Sequence, residues 1–363
     1  GQYNAWCICA SVARRRIMAW TKEQIDEIAE EFLASDVQYD LAKMQGKTED
    51  EVREYFENGG ADEAPPPPAL SAPPDKPDVW GKLPDEIKWK CNGTIAVITL
   101  NRPEANNALD DGLTLGLTMC IERVKQSPDV RVTFLTGAGR MFCAGGDPKG
   151  FQQAAAAAKE AEAKGVLGGG GDENASGAKG FAKMLDDLAN LPCYVVALAN
   201  GTAMGGGYGL LCCCDCVIAK KSAMFALSEV KLGVIPATIS PYVVARIGTS
   251  NARRFFMTGE AVTSDVAMAA GLVNILVEDE KGMLEQAKKV CKLMTLAAPD
   301  AVKAAKKLVA GVANKVIDEE LMDYTAGQLA VVRMGKEAEG GMLAVQAGQK
   351  PPWAKTELAF PDA

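Results

Sequence analysis

Residues 199–241 hold the groups in this chain that could do chemistry. The stretch includes Asn200-Gly201-Thr202-Ala203-Met204-Gly205-Gly206-Gly207-Tyr208-Gly209, an apolar cysteine-rich run, and then Phe225-Ala226-Leu227-Ser228-Glu229-Val230. Residues 194–198, short, β-branched and apolar, predict a buried strand, and residues 208–214 predict a buried helix. A strand that breaks at glycines and restarts as a helix leaves free backbone N–H groups pointing out of the helix start. With the helix dipole behind them, those groups suit a developing negative charge. Glycine lets a substrate approach the backbone closely and permits positive φ. A glycine triplet alone fits a flexible turn as well. Its weight comes from a second segment after another predicted strand, Arg140-Met141-Phe142-Cys143-Ala144-Gly145-Gly146-Asp147. Glu229 sits among Phe225, Leu227 and Val230, whose expected burial would raise its pKa toward the working pH. The competing reading of Glu229 is a solvated loop residue.

Composition removes several alternatives. The 363 residues contain no histidine, which excludes His triads, His general bases and the usual zinc ligand sets. Acid–base work must fall to Asp, Glu, Lys, Tyr or Cys. Cys212, Cys213, Cys214 and Cys216 lack paired C-x-x-C spacing, so they are expected to pack as small hydrophobes rather than bind metal. Free thiols fit a reducing compartment, cytoplasm or mitochondrial matrix. A net charge of −8 argues against nucleic acid, and no apolar run is long enough to span a membrane. The expectation is a soluble protein.

The two glycine segments together resemble the signature of the crotonase superfamily, the enoyl-CoA hydratases and isomerases. Asn101-Arg102-Pro103-Glu104-Ala105-Asn106-Asn107-Ala108-Leu109 is similar to that family's first CoA-contacting loop, and the likeness runs over about 87–353. Residues 227–241 look most like the methylglutaconyl-CoA and carboxygeranoyl-CoA hydratases. The resemblance implies an α/β fold, a ββα spiral core followed by oligomer-forming helices, as a homotrimer or a dimer of trimers. It implies an acyl-CoA substrate and no cofactor, coenzyme A being part of the substrate. The oxyanion donors would be the N–H groups of Ala144 and Gly206, with Glu229 as the acid–base group. Contacts to substrate or CoA would come from Asn101, Arg102, Ala105, Asn107, Ala108, Ala144, Gly145, Gly146, Asp147, Gly205, Gly206, Gly207 and Pro236. Two-glutamate hydratases carry a further Glu where this chain has Gly209. Three functions stay open: hydration of an unsaturated, branched or carboxylated acyl-CoA with one glutamate; enoyl-CoA isomerisation; and a catalytically reduced scaffold.

The elements that must position these groups follow from apolar spacing. Residues 1–64 predict an acidic arm with a helix from Thr21 and another from Thr48, either docking a protein partner or packing on the chain's own surface. Residues 1–20 lack an initial Met and carry Arg14-Arg15-Arg16, a targeting remnant or a basic tail. Residues 65–80 are a proline-rich linker. The core is assigned to 81–280, with strands at 95–100 and 130–135 and a helix at 109–125, a unit that predicts parallel strands. A helix is expected at 151–163, a glycine-rich loop at 165–180, either a passive surface loop or a mobile insertion over the acyl pocket, and a helix at 181–191. Residues 281–363 form the C-terminal helical region, and beyond Pro241 helices are expected at 246–258, 264–270, 282–296, 299–312 and 317–334. No Walker pattern or early dinucleotide glycine motif is present.

Overall fold

A computed structural model describes residues 51–53, 81–150, 156 and 169–361. The chain divides into two units, Gly1–Lys76 and Pro77–Ala363. Of the first, only residues 51–53 are described, and they are helical. The remainder of the expected arm and the linker lie outside the described residues, as does the helix expected at 151–163, save Ala156, which is helical.

The second unit is built on a six-stranded sheet in the order β1-β2-β3-β5-β7-β10. Its strands are β1 (Ile87–Cys91), β2 (Ile95–Leu100), β3 (Val132–Gly137), β5 (Tyr194–Ala199), β7 (Cys216–Lys220) and β10 (Ile275–Val277). β1 pairs antiparallel to β2, and every other pair in this sheet is parallel. A smaller sheet, in the order β4-β6-β8-β9, comprises β4 (Met141–Cys143), β6 (Thr202–Met204), β8 (Met224–Ala226) and β9 (Ala261–Thr263). A large-sheet strand, a small-sheet strand and a helix recur in sequence. β3 and β4 lead to α2 (Gly169–Ala189), β5 and β6 to α3 (Gly206–Cys213), and β7 and β8 to α4 (Ser240–Thr258). This is the ββα spiral that the resemblance implies.

Side-chain alternation explains why the large sheet is covered on both faces. Along β5, Val195 and Ala197 join a core with Leu113 and Leu117 of α1 (Asp111–Lys125), whereas Val196 and Leu198 join a second core. That second core includes Met283, Ala287 and Val290 of α6 (Glu280–Leu296), which follows the short α5 (Ser264–Ala269). The boundary expected at 280/281 therefore falls at the start of a helix that packs on the sheet. Three helices complete the chain: α7 (Pro299–Val312), α8 (Glu319–Arg333) and α9 (Lys336–Gln346). Lys306 of α7 reaches the Asp215 carboxylate at 2.8 Å, and that carboxylate also accepts the Val195 N–H at 2.8 Å, tying the helix to β5.

Three sequence expectations need correction. The glycine-rich loop placed at 165–180 is helical from Gly169, continuous with the segment expected from Phe181. Met184, Leu185 and Leu188 anchor that helix in the core, and helix propagation from such an anchor costs only about 1 kcal/mol per glycine. The strand expected at 130–135 is shifted to 132–137, because Val130 closes the turn after Pro128 through a hydrogen bond to Ser127. Beyond Pro241 the chain is mainly helical as expected, but the elements expected there omit β9 and β10, three-residue strands too short to show a period. Among the described residues, no helix is long and apolar enough to cross a membrane.

Candidate active site

The small sheet brings the two glycine segments together. β4 and β6 run parallel, so the loops that leave them lie side by side. Gly145 has φ 92°, and a Cβ there would stand 2.9 Å from the Met204 carbonyl oxygen and 3.5 Å from the Gly206 nitrogen. Gly205 caps α3 with φ 48° and ψ −119°, a conformation open to glycine, and donates its N–H to Ala226 of β8 at 2.9 Å. Gly206, not Tyr208, is therefore the first residue of the helix, and its N–H is one of the unpaired donors at a helix start. Gly207 faces the Cys143 side chain, where a Cβ would stand 2.6 Å from the Cys143 Cβ; its bareness lets α3 pack on β4.

The donor expected at Ala144 is already in use. The Ala144 N–H donates to the Asn106 carbonyl at 3.0 Å. Leu109 donates to Gly145 O at 2.7 Å and Asp147 donates to Leu109 O at 3.0 Å, a parallel bridge that skips one N–H, that of Gly146. Among the described residues no acceptor takes the Gly146 N–H, and Gly146 is exposed. The free pair at this site is thus Gly146 and Gly206.

The loop at 101–109 frames these donors rather than facing outward. Asn106 and Asn107 both have positive φ, 52° and 56°. The Asn107 side chain is fully buried; it donates to Ala138 O at 2.9 Å and Met141 O at 2.8 Å, and accepts the Arg102 N–H at 2.8 Å. Asn101 donates to Asp85 O at 2.8 Å. The Arg102 guanidinium donates to Ala108 O at 2.6 Å and pairs with Asp147 at 3.1 Å and Asp110 at 3.2 Å. The side chains of Asn101, Arg102 and Asn107, expected as CoA contacts, are thus occupied as clasps. Ala105 is half-buried, Ala108 and Pro236 are buried. Asp147 lies below the usual carboxylate range because the Lys149 N–H and Arg102 both bind it.

Glu229 opens a 3-10 turn, Glu229–Leu232, directly after β8. Because β8 pairs with β6, this turn comes to rest against Gly205, where a Cβ would stand 3.1 Å from Glu229 Oε1. Phe225 and Leu227 beside it are buried as expected, whereas Val230 is half-buried. Burial pushes the Glu229 carboxyl above the ordinary range, opposed by the N–H of its own backbone. Its Oε2 is buried with no hydrogen-bond partner among the described residues. A raised, half-desolvated carboxylate of this kind suits proton transfer near neutral pH.

The other candidate groups are less suited. Burial raises the Tyr208 hydroxyl pKa far beyond working pH. Cys212, Cys213, Cys214 and Cys216 are buried free thiols, and burial pushes Cys214 up to about 12. Such thiols are inert rather than nucleophilic. Among the described residues no cluster of three or more acidic or cysteine side chains could hold a metal ion.

Residues 90–355 match the model of the family described as enoyl-CoA hydratase/isomerase. The chain belongs to that family. It is 31% identical over 274 residues to a carnitinyl-CoA dehydratase of Salmonella arizonae, covering 74% of this chain and 98% of that one. A solved enoyl-CoA hydratase from Shewanella pealeana superposes with a TM-score of 0.69 at 27% identity, over 76% of this chain and 98% of that one. An enoyl-CoA hydratase/isomerase from Marinobacter aquaeolei gives 0.66 at 30% identity, over 74% and 99%. Membership places the chain among hydratase-type enzymes of enoyl-CoA thioesters.

Two kinds of residue at this family site escaped sequence reasoning. Leu109 and Phe181 cover Gly206, where a Cβ would stand 2.7 Å from Leu109 Cδ1 and 3.5 Å from Phe181 Cζ. Leu109 was visible only as the end of a loop motif, and Phe181 carries no local signal because it arrives on α2. Ile239 is the other, packed on Gly209 from thirty positions away.

Proposed function

We propose that this chain hydrates an α,β-unsaturated acyl-CoA through an oxyanion hole made by the N–H groups of Gly146 and Gly206 and one carboxylate, Glu229. The observation that carries the reading is the placement of Glu229 against Gly205, immediately before the Gly206 donor. Water attacks the β-carbon as Glu229 takes one of its protons. The π electrons move onto the thioester oxygen, where the two donors hold the enolate. The enolate then collapses and its α-carbon takes that proton back from Glu229. A C–O and a C–H bond form, one O–H bond and the C=C π bond break, and the carboxylate is regenerated. Loss of one oxyanion donor typically costs about 10²–10³ in rate.

The motif at 227–241 supports a branched or carboxylated acyl group, and coenzyme A enters only as part of the substrate. Isomerisation is the second reading: one carboxylate suffices to carry a proton between two carbons, and Ile239 fills the space beside Gly209. A homotrimer or a pair of trimers is in keeping with the exposed Val309, Ile317, Met334 and Val345 on and between α7, α8 and α9. Turnover of a panel of enoyl-CoA esters, followed by mass spectrometry and ultraviolet absorbance, tests the assignment. Hydration adds the mass of water and removes the conjugated absorbance. Isomerisation of a non-conjugated ester raises absorbance at constant mass, and an inert panel favours the scaffold.

A further inference from the structure

The start of α3 is bared by glycines and covered by two side chains. Gly205 precedes the helix and Gly209 lies in its first turn, where its N–H donates to the Gly205 carbonyl at 3.1 Å. Glu229 lies against the first. Ile239 lies against the second, where a Cβ would overlap its Cγ2 and stand 2.7 Å from its Cβ. Ile239 is 2% exposed and belongs to the same core as Tyr208, Leu210 and Val243.

Ile239 has little freedom to withdraw. It caps α4, and its carbonyl accepts the N–H groups of Tyr242 at 3.1 Å and Val243 at 3.0 Å. Ser240 fixes the preceding turn through its N–H and hydroxyl, both donating to Ala237 O at 3.2 and 2.7 Å. A β-branched side chain on so constrained a backbone is held to few rotamers. Moving it means moving the start of the helical segment that runs from Ser240 to the kink at Gly248.

We infer that Ile239 is a specificity-determining residue that restricts this site to one proton-carrying carboxylate. A side chain at position 209 would enter the volume that Ile239 occupies, one hydrogen-bonded turn from the Gly205 that Glu229 lies against. The chain thereby presents an apolar wall one turn from its acid and is limited to acyl-CoA chemistry in which a single group takes and returns the proton. This inference rests on the role proposed for Glu229.

The test is a double-variant cycle on the full chain. Gly209→Ala and Ile239→Gly should each lower Tm, and together they should lower it by less than the sum of the two, because Ile239→Gly removes both obstructing carbons. Gly209→Glu/Ile239→Gly should then show a second ionisation in the pH–rate profile. In that background Glu229→Gln should cost about tenfold less than it does alone, since a positioned acid–base group is worth about 10²–10⁴. Normal Tm for Gly209→Ala or Gly209→Glu with Ile239 intact would overturn the inference. So would a folded double variant with a single ionisation and an undiminished Glu229→Gln effect. If Glu229→Gln leaves the unmodified site active, the Glu229 role has failed instead, and the Tm cycle still judges Ile239.

Discussion

The Asn106 carbonyl accepts the Ala144 N–H at 3.0 Å. That bond separates two neighbouring N–H groups by availability: Ala144 is spent on holding the loop at 101–109, and Gly146 is left facing outward beside Gly206. Asn106 is in the left-handed region, and the buried side chain of its neighbour Asn107 is held by three hydrogen bonds. A loop motif that resembles a ligand contact is, in this chain, also the frame that holds the backbone on which these N–H groups sit.

That frame can be broken at Asn107. Asn107→Ala strands the carbonyls of Ala138 and Met141 and the N–H of Arg102. With unsatisfied buried groups costing about 1–3 kcal/mol each, the expected loss is on the order of 3 kcal/mol after local relaxation. Urea unfolding at pH 7 should show a lower midpoint with an unchanged slope. An unaltered midpoint would mean the clasp is not part of the fold's stability.

Glu229 gives a pH signature in stability. Its folded-state pKa is raised, so the fold favours the protonated form. Between the ordinary value of 4.5 and the raised value, the folded protein binds more protons than the unfolded chain, and stability falls as pH rises through that window. Glu229→Gln should therefore have a higher Tm than the unmodified chain at pH 7, with the gap closing as pH drops toward about 4. A gap that widens on acidification would reverse the sign and refute the burial argument.

The two glycine segments, the strand at 95–100 and the helix at 299–312 were legible because their cues are local: glycines after strands, an apolar run, Pro299 at a helix start. The strands of the small sheet were not, since three residues carry no period. The helix starting at Gly169 was hidden by its glycines, which local propensity reads as loop while the anchor at Met184 and Leu185 decides otherwise. The pairing of Gly209 with Ile239 and the spending of the Ala144 N–H are tertiary facts with no local trace.

The C-terminal helices predict association. Val309, Ile317 and Val345 are 67%, 84% and 80% exposed on these helices and the turn between them, apolar surface that the proposed oligomer would cover. Light scattering at micromolar concentration should give a mass at least three times that of one chain. A monomer would remove the oligomer from the proposal.

The arm is expected to be dispensable for turnover. None of the site residues precedes Pro77, where the second unit begins. Removing residues 1–77 should leave acyl-CoA turnover within about twofold, a change well under 1 kcal/mol in barrier. A folded truncation without turnover would place part of the site in the arm.

The most direct measurement is single-turnover kinetics of Glu229→Gln with the ester that the panel identifies. The variant keeps the size of the side chain but cannot take a proton. The chemical step should slow by about 10²–10⁴, the range for a positioned general base. Affinity for the CoA ester should change little, because the Gly146 and Gly206 donors and the loop at 101–109 are untouched. A variant that turns over at the normal rate would contradict the account, leaving the proton with another group or the reaction to the oxyanion hole alone.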